Sequence, residues 1–428
     1  MFSTTCSTAV FIDSQRLKPL FHKPTAPTTV STKINYIYLL KKRLQTTQAR
    51  KEVINNMKLT FQKDDIVDGI NIVMKAVPSK TTMPILECIL IDASSSEIKL
   101  TGNDMELGIE TKVEGEILEH GKIALDAKLF SEITRRVSSQ NAMVTIESDE
   151  KFNTVISCEN SVFTIQGKDG EEFAYLPYIE KDKYISLSQF TLKEVIQQTL
   201  FSISPNDSNK MMSGELFEVS EDQLKVVSLD GHRISIRNVK LRDNYEATKV
   251  IVPGKTLGEV SKILSGDNEK EVLIYFSSNH ILFEFDKTIV VSRLIEGEYF
   301  RINQMLSSDY ETKVTVNKKD FLDCIERATI LIRENDKKPL IINIGDDSMQ
   351  LKLNSSFGTM NADLMIHKTG QDIMIGFNPK FLIDALRVID DEEIHIYMMN
   401  PKSPCFIKDD EENYIYLILP VNFNAAAV

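Results

Sequence analysis

The alternation of apolar and polar positions along the chain contains one pattern written three times. IALDAKLFSEITRRV (123–137), IVPGKTLGEVSKIL (251–264) and IGFNPKFLIDALRVI (375–389) each open with a β-like run. Each then passes a turn carrying Asp, Gly or Pro and continues with apolar residues at helical spacing. Aligned on Lys128, Lys255 and Lys380, the copies stand 127 and 125 residues apart. Seven positions after each lysine comes a second base: Arg135, Lys262 and Arg387. Seven residues make about two helical turns, so each pair lies on one face, roughly 10 Å apart.

The segments between the copies repeat as well. From Met57, KLTFQKDDIVDGINIVMKAV predicts a strand, a cap near Lys63 to Asp65 and an amphipathic helix. Ile66, Ile70, Val73, Met74 and Val77 form its stripe, and Pro78 ends it. ILECILIDA and EIKLTGNDMELGIETKV read as strands ahead of the helix at Asp126, and MVTIES and TVISCENSVFTIQG read as strands after it. The order restarts at Tyr184, with a helix stripe of Leu192, Val195, Ile196 and Leu200, and again at Lys313. The 372 residues from 57 to 428 average 124 per unit. The prediction is an α+β fold of three repeated domains, 57–182, 183–309 and 310–428, each with two helices against antiparallel sheets. The first helices add Lys63, Lys75, Lys193, Lys318, Lys319 and Arg327 to the basic positions. Set inside an arc, the helices would turn these cations to a concave surface while the strands form the outer wall.

Composition narrows the class. A chain of 428 residues suits roughly two to four domains, and 42% apolar with 26% charged residues reads as soluble and globular. A net charge of -12 excludes general adhesion to nucleic acid but leaves room for a local basic patch. Cys6, Cys88, Cys158, Cys324 and Cys405 are far apart without CxxC spacing, so reduced thiols in a cytoplasmic protein are expected, and no metal. No apolar run approaches the about 20 residues of a membrane helix.

Residues 1–56 depart from the rest, with nine bases against two acids (Asp13, Glu52), crowded with Ser, Thr and Pro. This basic extension, for which disorder is the expectation, reads either as an organellar transit peptide or as sequence ahead of a true start at Met57. Lys51-Glu52-Val53-Ile54 can be encoded by a bacterial ribosome-binding sequence, which favours the second reading.

A search for chemistry nominates no active site. PGKT at 253–256 ends like a phosphate loop, but Lys249 stands where the loop needs its first glycine. Ser228, Asp230 and His232 are triad residue types, yet they fall within five residues of one turn. His22, His120, His280, His367 and His395 show no metal spacing. No cofactor is implied. The remaining signal is the repeated base pair, whose natural partner is a phosphate backbone bound without reading sequence.

MKLTFQKDDIVDGI at Met57, MPILECILI at Met83, LTGNDMELGI at Leu100, SLDGHRISI at Ser228 and VIVPGKTLGEV at Val250 together resemble the bacterial DNA polymerase III β subunit, the sliding-clamp family. The resemblance runs in order from Met57 to about Phe423. It implies a non-enzymatic ring, a head-to-tail homodimer of three-domain subunits that encircles duplex DNA and tethers the replicative polymerase for processivity. Lys80 and Asn209-Lys210-Met211 would then face DNA beside the helix bases. The resemblance also implies a pocket for short apolar motifs of the polymerase, the clamp loader and repair proteins. Its positions would be Met212, Leu229, Gly231, His232, Arg233, Ile234, Met305, Leu417, Leu419, Pro420 and Val421. Leu417 and Leu419 also fit a plain core reading. Asn422, Gln304 and Phe300 depart from the usual residues at the pocket rim. Phe163 and Ile165 would meet Ile330 and Leu331 of the partner subunit at the ring joint. Two other readings compete: a nucleic-acid enzyme built on the same repeat, and a peptide-binding scaffold. The first needs a carboxylate cluster for metal, and Asp346-Asp347 and Asp409-Asp410 sit in turn-like stretches; the repeated bases oppose the second.

Overall fold

The computed structural model describes residues 56–136, 142–306, 309–333 and 338–423. The expectations for residues 1–55, Cys6 and His22 among them, lie outside the described residues. Six α-helices occur in the described part: α1 Lys63–Val73, α2 Ala127–Arg135, α3 Gln189–Thr199, α4 Gly254–Ile263, α5 Lys318–Thr329 and α6 Pro379–Leu386. They pack as the pairs α1 with α2, α3 with α4, and α5 with α6. Side chains at the helix starts explain most boundaries, because an oxygen there takes up an otherwise unpaired amide. Asp126 accepts from Leu129 N, Ser188 from Thr191 N, Asn317 from Asp320 N and Asn378 from Lys380 N. Each helix buries the apolar stripe that its periodicity predicts, as with Leu257 and Val260 in α4.

One boundary differs from the sequence expectation. The first helix stops at Val73, five residues before Pro78, and a 3-10 turn, Met74–Ala76, carries the stripe onward. Val77 is extended ahead of the proline, so the helical run as a whole still ends before Pro78, and a Cβ at Gly102 would stand 2.4 Å from the Val73 carbonyl oxygen. A strand backbone therefore lies directly against the last turn of α1.

The strands form four antiparallel sheets, two of which cross the expected domain borders. In the nine-stranded sheet, Leu107–Val113 pairs with Thr288–Arg293, setting Ile109 opposite Val290. In the seven-stranded sheet, Arg233–Pro253 pairs with Tyr414–Ile418, setting Ser235 opposite Tyr416. The five-stranded sheet ends on Ser161–Gln166, and the four-stranded sheet ends on Gly358–Met365. The alternating run from Gly214 makes a 16-residue strand paired with one of 21 residues, since irregular register near Val219 to Gln223 bends the hairpin without breaking it.

One core cluster spans the first two thirds of the fold and a second fills the last third, from Val314 to Ile418. A third cluster (Leu229, Ile234, Tyr397, Leu417 and neighbours) is shared between strands of the middle and last thirds.

Candidate functional site

The six helices carry most of the predicted basic residues. Lys128, Lys255, Arg327 and Lys380 are exposed on α2, α4, α5 and α6, Lys80 is exposed in a loop, and Lys210 is exposed at the start of a short 3-10 turn. Lys63 and Lys75 are partly buried at the start of α1 and in the turn after it. Arg135 ends α2 and donates to Asn71 Oδ1 on α1. Lys255 is ion-paired with Asp104, Lys262 lies 2.9 Å from Glu259, and Arg387 donates to Glu326 Oε1 from Nε (3.1 Å) and Nη2 (2.7 Å).

Lys193 and Lys318 differ from the expectation of open, DNA-facing cations. Lys193 Nζ donates to the Leu264 carbonyl at the end of α4 (2.9 Å), and Lys318 Nζ donates to the Ile389 carbonyl just beyond α6. Helix C-termini expose carbonyls with no partner in the helix and carry partial negative charge, so a lysine on the neighbouring helix is drawn there. The two contacts are the same device in two repeats, which sequence spacing alone does not reveal.

The predicted pocket positions separate by depth. Leu229, Ile234 and Leu417 are buried in the third core cluster, with Met212 packed against it, so Leu417 follows its plain core reading. Leu419 is 37% exposed and Met305 57% exposed. Gly231 turns the chain with φ +82, a conformation that suits glycine. His232 accepts from Leu419 N through its carbonyl (2.8 Å), and Val421 N donates to Gly376 O (2.8 Å), which fixes the last strand beside the Gly231 turn.

Arg233 is the most constrained of the set. Only 7% exposed, it donates to Asp230 Oδ2 (3.0 Å), to Asp384 Oδ2 on α6 (2.7 Å) and to the Phe201 carbonyl (2.6 Å). Its guanidinium lies 4.5 Å from the Phe381 ring centroid and 5.3 Å from that of Phe201. It therefore acts as a buried strut rather than an open pocket wall. Beside it runs a cleft of about 780 Å³ lined by His232, Phe381, Asp384, Pro379, Val421 and Asn422, and also by the bases Arg333, Lys338, Lys380 and Arg387. Phe381 and Asp384 carried no signal in the sequence because they lie some 150 residues from His232 and only packing brings them together. Ser228, the nucleophile type of the rejected triad, is buried and donates to Thr199 O (2.6 Å), while Asp230 is engaged by Arg233.

At the proposed ring joint, Phe163 and Val162 on the edge strand are 40% and 68% exposed, and Ile165 is half-buried. Ile330, just after α5, is 80% exposed, and Leu331 lies beside Gly358 at the start of the other edge strand.

Residues 57–177, 186–300 and 303–422 match in turn the N-terminal, central and C-terminal domains of the DNA polymerase III beta subunit. The chain belongs to that family. The beta sliding clamp of Staphylococcus aureus is 33% identical over 376 residues, which cover 85% of this chain and 99% of the relative. The crystal structure of a putative DNA polymerase III beta subunit from Eubacterium rectale shares 63% identity with a TM-score of 0.83, covering 86% of this chain and 100% of that one. The DNA polymerase sliding clamp from Bacillus subtilis shares 32% identity with the same TM-score and coverage. The fold is thus a three-domain sliding clamp of helices and antiparallel sheets. The protein is an accessory processivity factor of DNA replication, not a catalyst. Among the described residues, no helix is long and apolar enough to cross a membrane.

Proposed function

We propose that two copies of this chain close head to tail into a ring around duplex DNA. The ring would hold DNA polymerase III, the clamp loader and other motif-bearing proteins on its surface, within the cytoplasm. The proposed domains are 57–182, 183–309 and 310–428. Lys63, Lys75, Lys80, Lys128, Arg135, Lys210, Lys255, Lys262, Arg327, Lys380 and Arg387 would contact phosphates. Long solvated side chains make such contacts water-rich and shallow, so the ring can slide. Partner peptides would seat on Leu419, His232, Met305 and the cleft beside Phe381, whose lining combines apolar and basic side chains.

The observation that carries the ring is the register of the two internal joints. The strands starting at Ser161, Thr288 and Tyr414 hold the same place in the three units, as do those starting at Leu107, Arg233 and Gly358. In both internal joints the third residue of one strand faces the third residue of the other, Val290 with Ile109 and Tyr416 with Ser235. The strands at Ser161 and Gly358 are the corresponding pair left at sheet ends, both flanked by exposed apolar side chains (Val162, Ile330, Met365). Unpaired apolar edges are liabilities unless something covers them. Joining them by the same rule puts Phe163 opposite Met360 of the partner subunit and Ile165 opposite Gly358 of the partner subunit, next to Leu331 of the partner subunit. A head-to-tail joint used twice closes a two-subunit ring.

The test is topological. Clamp loaded on nicked circular DNA is expected to stay bound through a salt wash and to leave once the circle is cut. Equal retention on the linear product would refute encirclement.

A further inference from the structure

Four of the six paired bases on the repeated helices, Arg135, Lys255, Lys262 and Arg387, are met by a group from the chain itself. Asp104, whose side chain is only 9% exposed, accepts from the Glu106 and Leu107 amides through Oδ1 (3.0 and 2.7 Å). Its carboxylate is thereby held in place, and Oδ2 takes Lys255 from 151 residues away. Glu259 takes Lys262 one turn along α4, and Glu326 takes two donors of Arg387 from the neighbouring helix. Asn71 holds the ninth position of α1 as Glu326 does in α5, and it takes Arg135 as a neutral acceptor. Thus in two repeats of three, the second base of the pair faces a carboxylate, although the surface is one meant to attract phosphate.

We propose that Asp104, Glu259 and Glu326 are built-in competitors of DNA phosphate, which occupy Lys255, Lys262 and Arg387 in the free ring and keep its grip on DNA loose. The proposal rests on the reading of these helices as the DNA-facing lining. Exposed ion pairs are weak, so an approaching phosphate can displace the carboxylate. The exchange nevertheless gains less than binding to a bare cation. The displaced carboxylate stays tethered beside the phosphate and repels it. A base that keeps a carboxylate beside it also neutralises less phosphate charge, so fewer of the cations condensed on DNA are released, and that release is what drives binding. A ring lined this way holds its net attraction low without lowering its number of contacts, which suits movement along any sequence.

The experiment uses the full-length ring and a short, blunt, fluorescent duplex that can thread it, with binding followed by anisotropy over a salt series. Glu259→Gln and Glu326→Gln keep the size and hydrogen bonding of the side chain and remove its charge. Each is expected to tighten binding several-fold at low salt and to steepen the slope of log K against log salt by up to about one, with the double variant additive. Lys128→Ala and Lys380→Ala, which remove bases with no carboxylate partner among the described residues, serve as the reference and are expected to weaken binding. Weakened reference variants with unchanged slopes and affinities in both glutamine variants would overturn the competitor role alone. Unchanged binding in all four would overturn the DNA-facing reading together with it. Should Glu326→Gln lower the melting temperature, Glu259→Gln decides, because its pair lies within one helix.

Discussion

Glu215 shows how one residue in a repeat can carry a property that its counterparts lack. It faces Val252, two residues ahead of α4, just as Ile89 faces Leu125 and Leu340 faces Phe377, each two residues ahead of its helix, in the other units. Those two counterparts are apolar and buried, yet Glu215 is an acid with no exposure at all. Thr199 Oγ1 donates to one of its oxygens (3.0 Å), and the other has no partner. Thr199 itself stands where Val73 and Ala328 stand in the other first helices, so the polar pair is peculiar to the middle unit. Burial pushes the Glu215 carboxyl up to about 8, against the smaller opposing effect of the Thr199 hydrogen bond. The folded state therefore binds the proton more tightly than the unfolded state. Stability is present below the ordinary carboxylate range and is lost as pH rises from there through about 8, with a slope of at most about 1.4 kcal/mol per pH unit. Glu215→Gln is expected to melt close to the parent protein at pH 5 and above it at pH 8. Calorimetry across that range checks this, and parallel melting curves at the two pH values would rule it out.

At the scale of elements, the helix pairs are held by more than their apolar stripes. Lys193 and Lys318 reach across each pair to the end of the second helix, where unpaired carbonyls gather. Replacing Lys318 by Met keeps the aliphatic stem against the helix and removes the donor to Ile389 O. The expected loss is about 1 kcal/mol of stability, the usual net worth of such a bond, with DNA affinity nearly unchanged. Denaturant titration and duplex binding measured on one preparation separate this from a phosphate-binding role, in which affinity would fall and stability would hold. The helices themselves were legible from the chain because their signals are local. Asp126, Ser188, Asn317 and Asn378 sit just ahead of periodic apolar runs, and the side chains at these positions do cap. The change from α to 3-10 at Met74 was not legible, since the apolar stripe runs through it without a break.

For the whole molecule, the joints decide the architecture. Strand pairing across both internal borders makes each neighbouring pair of units share a sheet, so the borders are continuous in hydrogen bonding. If the ring closes by the same register, Val162 of one subunit faces Asn361 of the partner subunit. Val162→Cys with Asn361→Cys in one chain is expected to give a covalently closed dimer on oxidation, seen on a non-reducing gel. Val162→Cys with Ala362→Cys is one residue out of register and points to opposite faces, so it should cross-link poorly. A reversal of that preference would reject the register. Among the described residues, Cys88, Cys158, Cys324 and Cys405 are buried and do not compete, and Cys6 is replaced by Ser in both variants.

By itself the sequence determined the threefold repeat, the helices with their basic stripes, the strand runs and the family, because each of these rests on spacing within a short window or on motifs in order. It did not determine which charges meet. Lys255 finds Asp104, Arg233 finds Asp384, and Lys318 finds a helix end, all across separations that periodicity cannot span. Nor did it show that Leu229, Ile234 and Leu417 would be core while Leu419 stays open, since alternation marks two faces of a strand without saying what covers either. Only the tertiary structure settles such matters, because a side chain's partners and its exposure belong to the neighbours that folding brings to it.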